Sequence, residues 1–198
     1  MLTQGDYRSA LDLSQQAQRV APQGSSARIQ ATAQEARAWA RIGDVAATRR
    51  TLDRVERLAA NLPVPERAEH HYRYDPAKVA AYTATTLAWA GDPGAEQVAR
   101  AVVADLDPHG DGGARPRRSA SARLDLGLAL VAAGQPDEAV ALGAQAVTSG
   151  RVVPSNWWRA AELLAKVEDL GVPEAAMFRE LCVEYAPGRR STADSTPG

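Results

Sequence analysis

The chain has 198 residues, and its 23 basic and 24 acidic side chains nearly cancel. This balance disfavours direct binding to DNA or RNA, because no basic field gathers phosphates. Alanine, with 41 residues, is the commonest member of the hydrophobic fraction of 45%, whereas only 5% of the residues are aromatic. Alanine favours helices, while β-branched and aromatic residues favour strands, so the sequence predicts an all-α protein.

The single cysteine and the absence of long apolar runs restrict the class further. Cys182 has no second cysteine to pair with, which excludes an internal disulfide and a cysteine-based zinc site. The longest run without a polar side chain covers residues 126 to 134, about half of the ~20 residues that a membrane span needs. The residues after Met1 do not resemble a signal peptide. We therefore expect a cytoplasmic protein that does not enter a membrane.

A short glycine-containing step recurs five times along the chain. It reads Gly-Asp or Gly-Xaa-Pro and begins at Gly5, Gly43, Gly91, Gly134 and Gly171, at intervals of 37 to 48 residues. A left-handed glycine ends one helix and the following aspartate or proline begins the next, so each step predicts a tight turn between antiparallel helices. Intervals of this length are typical of helical-hairpin repeats.

Extending the pattern outward from these steps gives nine predicted helices. Their bounds, to within about two to four residues, are 7 to 21, 26 to 42, 45 to 61, 76 to 89, 93 to 106, 117 to 133, 136 to 149, 155 to 170 and 173 to 185. Asp75 and Ser155 are predicted to cap the fourth and eighth helices. A repeat domain over 1–186 and a small, polar, disordered tail over 187–198 are expected.

Small residues occur where neighbouring helices are expected to meet. In the best-formed repeat, residues 121 to 147, Gly127 is predicted to lie opposite Ala139 and Ala146 and to let two helices approach closely. Further residues in this pattern are Gly5, Tyr7, Ala10, Ala17, Pro22, Ala36, Trp39, Gly43, Leu52 and Val55. The pattern resembles the tetratricopeptide repeat (TPR) over most of residues 5 to 186. The resemblance implies a right-handed α-solenoid of TPR-like helical hairpins.

Five stretches of the chain resemble a second group of proteins. They are EHHYRYDPAK (residues 69 to 78), AWAGD (88 to 92), RPRR (115 to 118), LDLGLAL (124 to 130) and GRVVPSNWWR (150 to 159). These stretches are similar to the C-terminal TPR-like region of actinobacterial XRE-type helix-turn-helix transcriptional regulators. The resemblance implies a regulatory region that reads a ligand behind a DNA-binding domain.

The front of the chain departs from that family. It opens on the Gly5 step without a helix-turn-helix, so the first repeat lacks its first helix and one face of the helix over 7 to 21 is expected to be uncovered. Two explanations are open: the chain is a fragment of a longer regulator, or another subunit covers this face. The second explanation predicts pairing or homo-oligomerisation through the incomplete repeat.

Ligands of such arrays usually bind the concave face, which is lined by the first helix of each hairpin. The repeat register places the following residues there: Gln30, Gln34, Arg37, Arg41, Lys78, Tyr82, Thr85, Trp89, Ser121, Asp125, Trp158 and Glu162. The groove is thus predicted to be basic near its N-terminal end and acidic near its C-terminal end, which suits a peptide or protein partner. The alternative is that these are solvated surface charges and that Trp89 belongs to the core.

Residues that could carry chemistry form no recognisable site in the sequence. Adjacent His70 and His71 point in different directions on a helix, whereas a helical metal pair needs i, i+4 spacing. Ser155 has no glycine-flanked elbow, and no phosphate-binding loop or dinucleotide motif occurs. The sequence therefore predicts a non-catalytic sensor module that binds a ligand or protein and needs neither cofactor nor metal. A structural interaction scaffold with no small ligand is the alternative, and an enzyme is the third hypothesis.

Overall fold

The computed structural model describes residues 5–60, 62, 74, 79–110 and 113–187. Within these residues the chain forms nine α-helices and one short 3-10 helix and contains no strand, which confirms the predicted all-α class. The chain divides into two compact units, residues 1–95 (unit 1) and 96–198 (unit 2). None of the described helices has the length and apolar character needed to cross a membrane.

The helix bounds agree with the predicted ones to within about three residues. Unit 1 contains α1 (Tyr7–Val20), α2 (Ser26–Ile42), α3 (Val45–Ala59) and α4 (Val79–Ala90). Unit 2 contains α5 (Ala95–Leu106, whose first residue belongs to unit 1), α6 (Pro116–Ala132), α7 (Pro136–Thr148), the 3-10 helix Pro154–Asn156, α8 (Trp158–Asp169) and α9 (Ala175–Tyr185).

Two of the predicted helix caps have different outcomes. Ser155 lies inside the 3-10 helix, and α8 begins three residues later without a side-chain cap, so the prediction that Ser155 caps α8 is wrong. Asp75 lies outside the described residues. The same holds for His70, His71 and residues 188–198, which form most of the predicted tail.

Four of the glycine steps, at Gly43, Gly91, Gly134 and Gly171, form turns between helices, as predicted, whereas the residues before the Gly5 step lie outside the described residues. Gly43 has a φ of 90°, a conformation that side chains with a Cβ disfavour, and its N–H donates to the carbonyl of Trp39 at 3.0 Å. The next residue begins the following helix, because the carboxylate of Asp44 accepts a hydrogen bond from the N–H of Ala47 at 2.8 Å. The glycines at the four other steps also have positive φ. The step therefore both stops one helix and starts another.

The core of unit 1 forms around α2, which packs against α1, α3 and α4. The buried side chains of Ile29, Val55 and Tyr74 lie at its centre. On α2 itself, Ala36 and Ala38 are fully buried. Their small side chains let three neighbouring helices approach one central helix, which explains why this alanine-rich segment needs few large hydrophobic residues.

A buried aspartate fixes the end of α4 to α3. The guanidinium of Arg49 on α3 donates through Nε to Asp92 Oδ2 and through NH2 to Asp92 Oδ1, the latter at 2.6 Å. The Asp92 carboxylate is fully buried, whereas Arg49 is largely exposed. The hydrogen bonds from Arg49 hold the pKa of Asp92 below its ordinary value, and the N–H of Gly94 adds to this effect at 2.8 Å, whereas burial opposes it.

The lowered pKa of Asp92 predicts an acid-sensitive contribution to stability. The unfolded chain binds this proton more tightly, so the stabilisation is present above the ordinary aspartate pKa of ~4 and is lost as pH falls through the lower folded value. We expect an Asp92→Asn variant to be less stable than the wild type at neutral pH and to lose less stability on acidification. Urea unfolding at several pH values measures this difference, with the exposed Asp12→Asn as control. Parallel pH profiles for Asp92→Asn and the wild type would contradict the prediction.

In unit 2, two glycines allow close helix packing. A Cβ on Gly127 of α6 would lie 2.8 Å from Leu163 Cδ2 of α8 and 3.3 Å from the carbonyl oxygen of Ala139 on α7. A Cβ on Gly143 of α7 would lie 2.8 Å from Leu163 Cδ2 and 2.8 Å from Phe178 Cζ of α9. The predicted close approach of Gly127 to Ala139 is confirmed. These contacts place α8 directly against both α6 and α7.

Ion pairs join the outer parts of unit 2. Arg100 of α5 donates to Glu96 on its own helix at 2.8 Å and forms a bidentate pair with Glu138 of α7 at 2.8 Å for each bond. The segment after α5 is held by Asp107, whose buried carboxylate accepts a hydrogen bond from Arg123 of α6. The loop between α5 and α6 is therefore anchored at its beginning.

The single cysteine is part of the unit 2 core. Cys182 lies on α9 and is buried. Burial raises the pKa of its thiol to about 11, and the negative charge of Glu168 acts in the same direction. The thiol is therefore protonated at neutral pH and packs as a small hydrophobic group, as the sequence predicts.

Candidate functional site

In unit 1, two arginines of α2 stack on two aromatic rings of α4. The guanidinium carbon of Arg37 lies 4.9 Å from the ring centroid of Tyr82 and 5.8 Å from that of Trp89. The guanidinium carbon of Arg41 lies 3.9 Å from the centroid of Trp89. All four side chains are partly exposed. We call these residues the arginine–aromatic cluster.

The spacing of these residues explains why they meet. Arg37 and Arg41 are four residues apart on α2, and Tyr82 and Trp89 are seven residues apart on α4, so each pair occupies one face of its helix. Because α2 packs against α4, the two faces are brought together. A cation held over an aromatic ring is attracted by the ring quadrupole, by about 0.5–1 kcal/mol at exposed sites. The ring of Tyr74 extends the cluster, with its centroid 6.2 Å from that of Tyr82.

The other residues predicted for this part of the groove lie outside the arginine–aromatic cluster. Gln34 is partly buried on α2, one turn before the cluster, and Gln30 is exposed. Thr85 is fully buried, and its hydroxyl donates to the carbonyl of Ala81 at 3.1 Å, so it does not line an open surface. The placement of Thr85 in the groove is therefore corrected. Lys78 lies outside the described residues.

In unit 2, a chain of polar contacts connects α6 with the start of α8. Arg159 donates through Nε to Asp125 Oδ1 at 2.7 Å and through NH1 to Asn156 Oδ1 at 3.0 Å. The amide of Asn156 in turn donates to the hydroxyl of Ser121 at 3.1 Å. The Arg159 guanidinium also lies over the ring of Trp158, 4.4 Å from its centroid. The predicted residues Ser121, Asp125 and Trp158 therefore belong to one network.

Arg159 changes the electrostatic character predicted for this region. The side chains of Asp125 and Arg159 are only 5% and 9% exposed, so the carboxylate is compensated inside the protein. Asp125 therefore contributes no open negative charge, which corrects its predicted role as part of an acidic surface. Glu162 on α8 is partly buried. Sequence reasoning missed Arg159, although its separation of 34 residues from Asp125 is about one repeat length.

The chemistry of these side chains is suited to recognition. A guanidinium stacked on a ring can still donate hydrogen bonds from its edge, in a fork that fits a carboxylate. Tyrosine, tryptophan and arginine are also the residue types that dominate binding energy at interfaces. Among the described residues, no three histidine, cysteine or acidic side chains lie close enough together to hold a metal ion.

Comparisons of the chain with protein-family models, with curated proteins and with solved structures find no match. Similarity to known proteins therefore identifies no family for the chain. The resemblances to TPRs and to XRE-type regulators rest on the sequence motifs alone and stay predictions.

Proposed function

We propose that the chain is a non-catalytic binding module built from TPR-like helical hairpins, resembling the regulatory region of an XRE-type transcriptional regulator. The order of helix contacts supports this proposal. In unit 1, α2 packs against both α3 and α4, and in unit 2, α6 packs against both α7 and α8. Each first helix thus contacts its own partner and the first helix of the next hairpin, the arrangement from which an α-solenoid is built.

The arginine–aromatic cluster is the observation that carries the functional proposal. It lies on the α2 and α4 faces that the repeat register assigns to the groove, and its four side chains are partly exposed. Stacking restricts the motion of Arg37 and Arg41, so less side-chain entropy is lost on binding. The partner is a peptide or protein segment whose carboxylates meet these arginines and whose apolar groups contact the exposed ring edges.

The proposed mechanism couples binding to the shape of the helical array. A partner that fits one angle between neighbouring hairpins better than another shifts the population toward that angle. In a regulator, this shift would alter how attached domains or bound subunits are presented. Such coupling requires different affinities of the partner for the two shapes, which is the quantity to be measured.

A structural scaffold without a small ligand is the second candidate, and exposed apolar side chains favour it. On α1, Leu13 is 45% exposed and Val20 is 85% exposed; on α9, Met177 and Val183 are also exposed. Exposed large hydrophobic residues are typical of surfaces that contact other proteins when they form contiguous patches. In this alternative the arginine–aromatic cluster is structural and binds no peptide.

The test is a screen of acidic peptides that contain aromatic residues, followed by calorimetric titration of the full chain. We expect Arg37→Gln combined with Arg41→Gln to weaken binding at least about tenfold, because each charged hydrogen bond contributes about 1.5–3 kcal/mol. The exposed Arg57→Gln on α3 is the control and should bind normally. Equal binding by the double variant and the wild type would contradict the proposal. No binding by any peptide would favour the scaffold.

A further inference from the structure

A second polar surface lies in unit 1, where α1, α2 and α3 surround an open cleft of about 310 Å³. Its lining side chains are Gln15, Gln18, Arg19, Arg28, Glu35 and Arg54. Glu35 and Arg37 are two positions apart on α2 and therefore point about 160° apart around the helix axis. The cleft is thus on the other side of α2 from the arginine–aromatic cluster and is independent of the proposed function.

The floor of the cleft is a buried carboxylate that accepts four hydrogen bonds. Glu35 is 6% exposed. Its Oε1 accepts hydrogen bonds from Gln15 Nε2 at 3.3 Å and Trp39 Nε1 at 3.4 Å. Its Oε2 accepts from Gln18 Nε2 at 2.8 Å and from Arg54. With four donors, one of them the paired guanidinium of Arg54, Glu35 is the structural floor of the cleft rather than an acceptor for an external cation.

The rim of the cleft carries the excess of positive charge. Arg54 is 44% exposed above Glu35, Arg19 is exposed on α1, and Arg28 is partly buried on α2. A guanidinium has five N–H donors, and Arg28 uses one of them for the carbonyl of Ala21 at 3.4 Å. One carboxylate balances only one of these three cations. The described part of unit 1 also keeps an excess of positive charge, because the nine arginines of residues 5–60 face six acidic residues in that range and Asp92, the partner of Arg49.

We propose that this cleft is an oxyanion-binding site, in which Arg19, Arg28 and Arg54 hold a carboxylate or phosphate group of a small ligand. Planar guanidinium groups match both oxyanions, because two parallel N–H donors reach two oxygens of the same group. Gln15 and Gln18 fix Glu35, and Glu35 in turn holds Arg54, so one of the three arginines is fixed on the floor of the cleft that all three line. The cleft walls also concentrate the positive potential over the opening.

The test is isothermal titration of the full chain with inorganic phosphate and, separately, with citrate, in a buffer of low ionic strength. The two probes distinguish a site that prefers phosphate groups from one that prefers carboxylate groups, since citrate carries carboxylates and no phosphate. We expect one saturable site for at least one probe. Combining Arg19→Gln with Arg28→Gln should weaken it by about tenfold or more, the equivalent of one charged hydrogen bond.

A control variant that loses the same charge elsewhere distinguishes binding at the cleft from attraction by the overall positive charge of unit 1. Arg8→Gln combined with Arg50→Gln removes two exposed arginines from α1 and α3 that do not line the cleft. This pair should change the affinity by less than about threefold, because neither guanidinium lines the cleft and its removal deletes no hydrogen bond to the bound ion. Equal weakening by both pairs, or no saturable binding of either probe, would overturn the proposal.

A substitution of the third arginine tests the sign of the ligand charge. Arg54→Gln removes one of the three guanidinium groups that line the cleft and should weaken phosphate and citrate binding. An unchanged or higher affinity for both ions in the folded Arg54→Gln protein would overturn the proposed binding mode. Retention of oxyanion binding in Arg37→Gln would separate this site from the peptide site.

Discussion

Replacing Phe178 by alanine is expected to lower the free energy of unfolding by about 4 kcal/mol, the largest effect of any single substitution considered for this chain. Phe178 on α9 is fully buried, and its ring reaches the backbone of α7 at Gly143. Removal of the ring leaves a cavity beside a glycine that has no side chain to fill it. Urea or thermal unfolding followed by circular dichroism measures the loss.

Two variants define the cause of this effect. Phe178→Leu keeps much of the apolar volume and should recover at least half of the lost stability. Met177→Ala changes the neighbouring residue on α9, which is 45% exposed, and should cost less than about 1 kcal/mol. Equal losses for Met177→Ala and Phe178→Ala would show that the ring is not packed as described.

The second large effect is expected at the buried ion pair of unit 2. Asp125→Ala should lower the free energy of unfolding by about 3 kcal/mol, because it leaves the guanidinium of Arg159 buried without its carboxylate. Asp125→Asn retains an acceptor for the 2.7 Å hydrogen bond from Arg159 and should cost less. Denaturant unfolding of both variants measures these differences.

The cost at this pair is expected to come from the uncompensated charge. Combining Asp125→Ala with Arg159→Met removes both charges and should be less destabilising than Asp125→Ala alone. The exposed Asp105→Ala on α5 is the control and should change stability by less than about 0.5 kcal/mol. A double variant at least as unstable as Asp125→Ala alone would contradict this explanation.

The helices were predictable because local signals specify both of their ends. At Gly43 and Asp44, one residue supplies the left-handed turn and the next supplies the cap, and both effects act within four residues. The start of α8 was less accurately predicted. Pro154 begins a 3-10 turn there, and its geometry delays the α-helix to Trp158. A serine after a proline therefore did not act as the expected cap.

The side-chain partners were harder to predict, because they depend on contacts between helices. The register assigned Arg37, Arg41, Tyr82 and Trp89 to the groove, and the structure brings these four side chains together, since spacing alone identifies the face of each helix. Their role in a ligand groove stays a prediction. It could not show that Thr85, between the two aromatic residues, turns into the core.

The partners of the buried carboxylates also depend on contacts between helices. The burial of Glu35 and its pairing with Arg54 had no sequence signal, because their separation of 19 residues matches neither a helical turn nor a repeat. The Asp125–Arg159 pair does match the repeat length, so comparing equivalent positions in successive first helices could have found it.

The buried thiol has a practical consequence for following motion in solution. Cys182 is the one cysteine of the sequence, and with a pKa near 11 it stays protonated and shielded from maleimide reagents. Cysteines introduced by Val20→Cys on α1 and Leu170→Cys after α8 would be exposed and would take a donor and an acceptor dye with little background labelling. Energy transfer between the two fluorophores would then report, molecule by molecule, any change in distance when a peptide or an oxyanion is added.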